Sequence, residues 1–182
     1  MAMFLIENGK EYTYRCLLDS LNSSNSYYPL LKSGDVYSYF VNLIQALASD
    51  SPLILLDSDL NPSEMEGVDE RTVNIPSDIS HPVYFTIDEI IEKIQKSKSE
   101  ITIFTSGTTG QPKKVVHTVS TLTRGVRTGE RYKGQIWAYA YNPTHMAGLQ
   151  VFFQAFENQN TIVNVFSKQR NEVYNAIDKY GI

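Results

Sequence analysis

Apolar residues recur at helical spacing in several stretches of the chain. Asp35 can cap a helix running to about Ala48, with Val36, Phe40, Leu43, Ile44 and Leu47 on one side. Ser51-Pro52 ends it, and Leu53 to Leu56 reads as a buried strand closed by the turn residues Asp57-Ser58-Asp59. Residues 58 to 82 hold three of the seven prolines and few apolar pairs, which predicts a long surface connection with one short strand. Thr86 followed by Glu89 is a capping-box signature, and Ile87, Ile90, Ile91 and Ile94 give the next helical stripe. The charged stretch from Lys93 to Glu100 reads as the solvated end of that helix.

The second half continues the alternation. A strand is predicted over Ile101 to Thr105, then a loop, then a β-rich run from Lys114 to His117. Ser120 is placed to cap a helix reaching about Tyr132. Gln135 to Tyr141 reads as a strand, and His145 to Phe156 as an apolar, buried helix. Thr161 to Phe166 follows as a strand, then a helix from Ser167 to Tyr180 with Val173, Ile177 and Tyr180 inward. Strands alternating with helices of this length predict an α/β fold with a largely parallel sheet.

Composition narrows the classes without choosing among them. A chain of 182 residues with 42% hydrophobic content can build a core. The formal charge of -4 and a pI near 5.4 argue against a dedicated nucleic-acid binder. No apolar run is long enough to cross a membrane, and Met1 to Ile6 lacks the basic start and long apolar centre of a signal peptide, so a cytoplasmic chain is expected. The single cysteine, Cys16, allows no internal disulfide, and in the mixed run Tyr14-Arg15-Cys16-Leu17-Leu18 a buried, inert thiol is expected.

Candidate chemistry lies between the two β-rich runs, in Thr105-Ser106-Gly107-Thr108-Thr109-Gly110-Gln111-Pro112-Lys113-Lys114-Val115. Glycines let backbone N–H groups converge on an oxyanion, hydroxyls add rotatable donors, and Lys113 supplies a point charge suited to phosphate. The spacing fits neither a Walker A loop nor the dinucleotide fingerprint. A Ser/Thr/Gly-rich hairpin connection without a ligand is the plain alternative.

The order of residues goes further. Thr105 to Val115 resembles the signature loop of the AMP-dependent synthetase and ligase superfamily, departing from it only where Lys114 replaces the common glycine. Ala46 to Asp57 is similar to that family's early helix–strand step. Pro143-Thr144-His145-Met146-Ala147-Gly148-Leu149 resembles its His-x-x-Gly segment, with one residue between proline and histidine where the family usually has two. The resemblance covers about residues 35 to 182.

The resemblance implies an ATP-dependent ligase that activates a carboxylic acid as an acyl-AMP and passes the acyl group to a thiol. That thiol belongs to coenzyme A or to a carrier-protein phosphopantetheine, and Mg²⁺ assists. It also implies roles residue by residue. Thr105, Ser106, Gly107, Thr108, Thr109 and Gly110 would wrap the β- and γ-phosphates, Lys113 would neutralise them, and His145 would line the junction of acyl pocket and phosphate site. No metal-ligating residue is assigned. His117 is read as structural and His81 as a surface residue. Aromatics in Trp137 to Tyr141 and Phe152-Phe153 are read chiefly as core, with a pocket border as the alternative.

The family's later motifs for adenine, ribose and thiol are not found, so residues 1–182 are expected to be a partial N-terminal AMP-binding domain with little activity of its own. The remainder of its polypeptide would be its partner. The short segment ahead of Thr105 hints at a compact subfamily such as the o-succinylbenzoate-CoA ligases. An adenylating enzyme that loads a carrier protein and a non-catalytic anion-binding module are the competing readings.

Overall fold

Two strongly patterned helices anchor the architecture, which the computed structural model describes for residues 2–32, 34–105 and 112–182. In chain order, β1 (Met3–Glu7) and β2 (Lys10–Thr13) form a hairpin and lead into α1 (Tyr14–Ser23). The short strands β3 (Ser26–Tyr27) and β4 (Leu30–Leu31) precede α2 (Val36–Ala48) and β5 (Leu53–Leu55). After the long connection, which carries β6 (Ser77–Asp78), come α3 (Ile87–Gln95), β7 (Glu100–Thr105) and β8 (Lys113–Thr118). The chain then runs through α4 (Val119–Leu122), β9 (Ile136–Tyr139), α5 (Met146–Phe156), β10 (Thr161–Asn164) and α6 (Arg170–Tyr180).

Asp35 caps α2 as its sequence predicts, its side chain accepting from Ser38 N at 3.2 Å. The burial of α2 is wider than a single stripe. Tyr39, Phe40, Leu43, Ile44 and Leu47 are buried, and so are Asn42 and Gln45 on other sides. Asn42 meets that burial by accepting from Tyr28 N (2.6 Å) and donating to Tyr28 O (3.1 Å), which ties α2 to the segment between β3 and β4. A second anchor is Glu7 at the end of β1. This 6%-exposed carboxylate accepts from Val36 N and Tyr37 N at the start of α2, and from Asn164 Nδ2 at the end of β10. The first amides of a helix lack intrahelical partners and favour negative charge, so Glu7 satisfies both needs at once.

The strands assemble into two four-stranded sheets, ordered β2-β1-β10-β9 and β4-β5-β7-β8, and a two-stranded β3-β6 pair. Pairings β1/β10, β10/β9, β4/β5 and β5/β7 are parallel. The edge pairings β1/β2 and β7/β8 are antiparallel. The fold is therefore α/β with largely parallel sheets closed by antiparallel edges. Asn8 and Gly9, both at positive φ (50° and 78°), make the tight β1–β2 turn. One large apolar cluster joins α1, α2, α3 and α5 to the strands, while Leu30, Leu56, Met65 and Phe104 form a smaller one beneath the long connection.

Several expectations are corrected. The helix foreseen from Ser120 to Tyr132 is only the single turn α4 followed by a short 3₁₀ turn at Glu130–Tyr132. The helix ends at Leu122, and further on Gly129 adopts φ 120°, outside helical geometry. The last helix starts at Arg170 rather than Ser167, whose φ is +56°. Its half-buried positions are Val173, Ala176 and Tyr180, while Ile177 is exposed. Cys16 is exposed, because α1 buries Tyr14, Leu17, Leu18 and Leu21 and turns position 16 outward. His81 is half-buried, its ring nitrogens against Pro82 O (2.9 Å) and Ser24 O (3.1 Å) and its face stacked on Tyr84. His117 is half-buried in β8 opposite Ile101.

Candidate functional site

The site begins where β7 leaves the core. Ile101, Thr102, Ile103 and Phe104 are buried, and Thr105 is the first exposed residue. Antiparallel register sets Thr105 opposite Lys113 and Phe104 opposite Lys114. A hydroxyl and an exposed ammonium thus stand opposite each other at the mouth of the loop, while the exposed Lys114, next along β8, projects to the other face. The remaining loop positions predicted to wrap phosphate, Ser106, Gly107, Thr108, Thr109 and Gly110, lie outside the described residues.

The neighbouring strand brings a carboxylate to the same edge. Parallel register pairs Leu53 with Ile101 and Ile54 with Thr102. Carried forward, it sets Leu56 level with Phe104, its partner in the smaller cluster, and Asp57 level with Thr105. Asp57 is 19% exposed and fully engaged: Oδ1 accepts from Asp59 N and Ser58 Oγ, each at 3.3 Å. Oδ2 accepts from Asn142 Nδ2 at 2.5 Å and lies 3.5 Å from His145 Nε2.

His145 occupies the N-cap position of α5, on a loop held from every side. Its N–H donates to Asn142 O at 3.1 Å, and its carbonyl accepts from Leu149 N at 3.0 Å. Asn142 Oδ1 accepts from Thr144 N and Thr144 Oγ1, both at 2.9 Å. The buried Tyr39 hydroxyl donates to Pro143 O at 2.6 Å, and its burial holds that phenol well above its ordinary pKa. Gly148 explains the glycine of the His-x-x-Gly segment. A Cβ there would lie 2.2 Å from Asn142 O and 2.9 Å from Tyr139 Oη, so the loop can cross the first turn of α5 only over a glycine. On this rigid mount the His145 ring itself is 55% exposed.

Two cavities border the loop. One, of about 300 Å³, is polar and lies at the carboxyl ends of the parallel strands, lined by Glu7, Asp57, Asn142, Thr144, Asn164 and Lys168. Carboxyl ends of parallel strands are the usual ligand side of α/β sheets. The other, of about 340 Å³, lies along α5 and is lined by Leu122, Val126, Trp137, Tyr141, Ala147 and Val151. Trp137 and Tyr141 therefore border a pocket, whereas Phe152 and Phe153 are wholly core. Among the described residues no group of three His, Cys, Asp or Glu side chains is placed to hold a metal, and no helix is long and apolar enough to cross a membrane.

The structure brings together Thr105 and Lys113, and sets His145 on Asp57, which follows β5, the strand beside β7. Asp57, Asn142 and Tyr39 were not foreseen as site residues. For Asp57 the one available signal was its place just past the end of a buried strand.

Comparison with known proteins gives the family. Residues 41–182 match the family described as AMP-binding enzyme, whereas a sequence comparison with curated proteins finds no match. The fold is similar to o-succinylbenzoate CoA synthetase (MenE) from Bacillus subtilis, solved with its acyl-adenylate intermediate OSB-AMP (16% identity, TM-score 0.64, 100% of this chain and 57% of that one). It is also similar to the Klebsiella oxytoca NpsA N-terminal subdomain, solved with 3-hydroxyanthranilyl-AMSN (14% identity, TM-score 0.63, 100% and 54%). A third similar structure is PA1221, an NRPS protein containing adenylation and PCP domains (15% identity, TM-score 0.64, 99% and 37%). The chain spans roughly half, or less, of each of these proteins. With the family match running from within α2 to the last residue, the chain belongs to the AMP-binding enzyme family.

Proposed function

We propose that this chain carries the triphosphate and carboxylate side of an ATP-dependent ligase that forms an acyl adenylate. A carboxylate oxygen attacks the α-phosphorus of ATP, the α–β phosphoanhydride bond breaks, and pyrophosphate leaves. A thiol sulfur then attacks the acyl carbon, the bond to AMP breaks, and the thiol proton passes to solvent. The thiol is that of coenzyme A or of a carrier-protein phosphopantetheine. MenE supports the first acceptor and PA1221, with its carrier domain, the second. Such a reaction belongs in the cytoplasm, where ATP and these thiols are found.

The observation that carries the reading is the meeting of Thr105 and Lys113 at one mouth, beside β5, which is followed by Asp57 with His145 against it. An exposed lysine opposite a hydroxyl suits a polyphosphate: the cation neutralises charge and the hydroxyl donates. Thr105, Ser106, Gly107, Thr108, Thr109 and Gly110 are assigned to the β- and γ-phosphates, Lys113 to their charge, and His145 to the carboxylate end of the acyl group. MenE has been solved with ATP and magnesium. The described residues of this chain offer no carboxylate cluster for Mg²⁺, and no ligand to it is assigned.

Isothermal titration of the 182-residue chain with pyrophosphate tests the reading. Wild type should bind, and Lys113→Ala should weaken binding about tenfold or more, the loss of one charge-assisted contact. Absence of binding by wild type, or equal binding by the variant, would overturn the assignment.

A further inference from the structure

We propose that Asp57 is a positioning residue for His145: its carboxylate claims the Nε2 end of the imidazole and leaves Nδ1 as the ring's working nitrogen. The inference rests on the reading of His145 as the residue at the acyl junction, and it names what sets that ring's orientation and hydrogen position.

Three observations lead to it. The two partners differ in exposure, the Asp57 side chain being 19% accessible and His145 55%. The less accessible group is the anchor and the more accessible one is free to meet a ligand. Asp57 is itself immobilised, with one oxygen on its own turn (Asp59 N, Ser58 Oγ) and the other on Asn142 Nδ2. That same Oδ2 faces His145 Nε2 at 3.5 Å, whereas Nδ1 has no partner among the described residues.

Exposed ion pairs commonly contribute little, and a pair at 3.5 Å on mobile side chains would be one of them. Here the carboxylate is not mobile, and Asn142 links it to the loop on which His145 stands. Its carbonyl receives the His145 N–H at 3.1 Å while its amide holds Asp57. Backbone and ring of His145 are thus referred to one carboxylate just past the end of β5, the strand beside β7. A neutral imidazole has one N–H and one lone pair, and a carboxylate facing Nε2 at 3.5 Å favours the hydrogen there. Nδ1 then presents its lone pair to whatever enters, the same logic by which an outer partner fixes the tautomer of a ligating histidine.

The test is the tautomer of His145 in the ¹⁵N-histidine-labelled chain, read from two-bond ¹H–¹⁵N spectra at about pH 9, well above the usual imidazole pKa. The chain has three histidines, so His81 and His117 serve as internal controls and His145→Gln gives the assignment. Wild type should show His145 as the Nε2–H form alone. Asp57→Ala should raise the Nδ1–H fraction several-fold, to that of an unpaired imidazole. Asp57→Asn, which keeps an oxygen acceptor, should restore the Nε2–H form. A wild-type His145 with the mixture of a free imidazole would overturn the proposal even if Asp57→Ala failed to fold. So would an Asp57→Ala spectrum unchanged at His145. No ATP or acid is needed. A fixed tautomer without pyrophosphate binding would overturn the functional reading and leave the pairing; pyrophosphate binding with a mixed tautomer would do the reverse.

Discussion

Replacing Gly148 by alanine sets two effects of opposite sign against each other. Gly148 lies in the first turn of α5 with ordinary backbone angles, so helix propensity alone favours alanine by about 1 kcal/mol. The added Cβ would, however, lie 2.2 Å from Asn142 O and 2.9 Å from both Asn142 C and Tyr139 Oη. Forcing extra carbon into a packed site costs about 1–3 kcal/mol when side chains can give way. Here the atom in the way is a backbone carbonyl, and its loop is held by Tyr39 Oη on Pro143 O and by Asp57 on Asn142 Nδ2. Moving it also strains the His145 N–H bond to Asn142 O. The upper end of that range, about 3 kcal/mol, is therefore expected, leaving a net loss of about 2 kcal/mol after the propensity gain. For a chain of this length that is a Tm fall of about 4–8 °C. Urea and thermal unfolding followed by circular dichroism would measure it. Gly125→Ala is the control: nothing lies within 4 Å of the place its Cβ would take and its φ is not positive, so it should be neutral or slightly stabilising. A Gly148→Ala chain as stable as wild type would refute the close-approach argument.

Further outcomes follow from the buried polar groups. Glu7→Ala leaves Val36 N, Tyr37 N and Asn164 Nδ2 without their acceptor in a buried setting, at a cost of about 3 kcal/mol, and Glu7→Gln should cost less because one oxygen remains; chemical denaturation compares the two. Two carboxylates should give opposite pH trends. The Lys98 N–H, followed by Lys93, holds Asp50 below its ordinary pKa. The folded state therefore favours its ionised form, and the stability so gained is present above the unfolded-state pKa of about 3.9 and lost as pH falls through the folded value. Asp50→Asn should accordingly destabilise at neutral pH, by an amount that vanishes in acid. Burial instead raises the pKa of Glu157, whose Oε1 has no partner while Oε2 accepts from Gln95. Its charge opposes folding above the folded-state pKa, and that penalty disappears as pH falls below the unfolded value of about 4.3. Glu157→Gln should therefore stabilise at neutral pH and lose its advantage in acid. Urea unfolding across pH 3 to 8 checks both, and parallel trends for the two variants would show the signs to be wrong.

What could be read from the sequence was what the chain encodes locally. α2 and α3 are visible because a capping residue and an apolar stripe agree within a few positions, and both caps form as expected. The Asn8-Gly9 turn carries an equally local signal, although no element is predicted ahead of Asp35. The long helix expected after Ser120 stops at Leu122 despite the apolar spacing from Leu122 to Val126, and Gly129, at φ 120°, lies outside helical geometry further on. Strand partners are another matter: β1 lies beside β10, from the opposite end of the chain, and no local pattern specifies that pairing. The site divides along the same line. The loop after Thr105 and the His-x-x-Gly segment are short runs that show themselves in sequence. Asp57 does not, since it sits 85 residues from Asn142 in an ordinary turn after a strand. Parallel register makes it a site residue, by setting the end of β5 level with the end of β7 while Asn142 reaches it from the end of β9. The signature motifs supply reactive groups, but their mutual placement belongs to the sheets. A substitution that shifted β5 by one residue would therefore disable the site while leaving every motif intact.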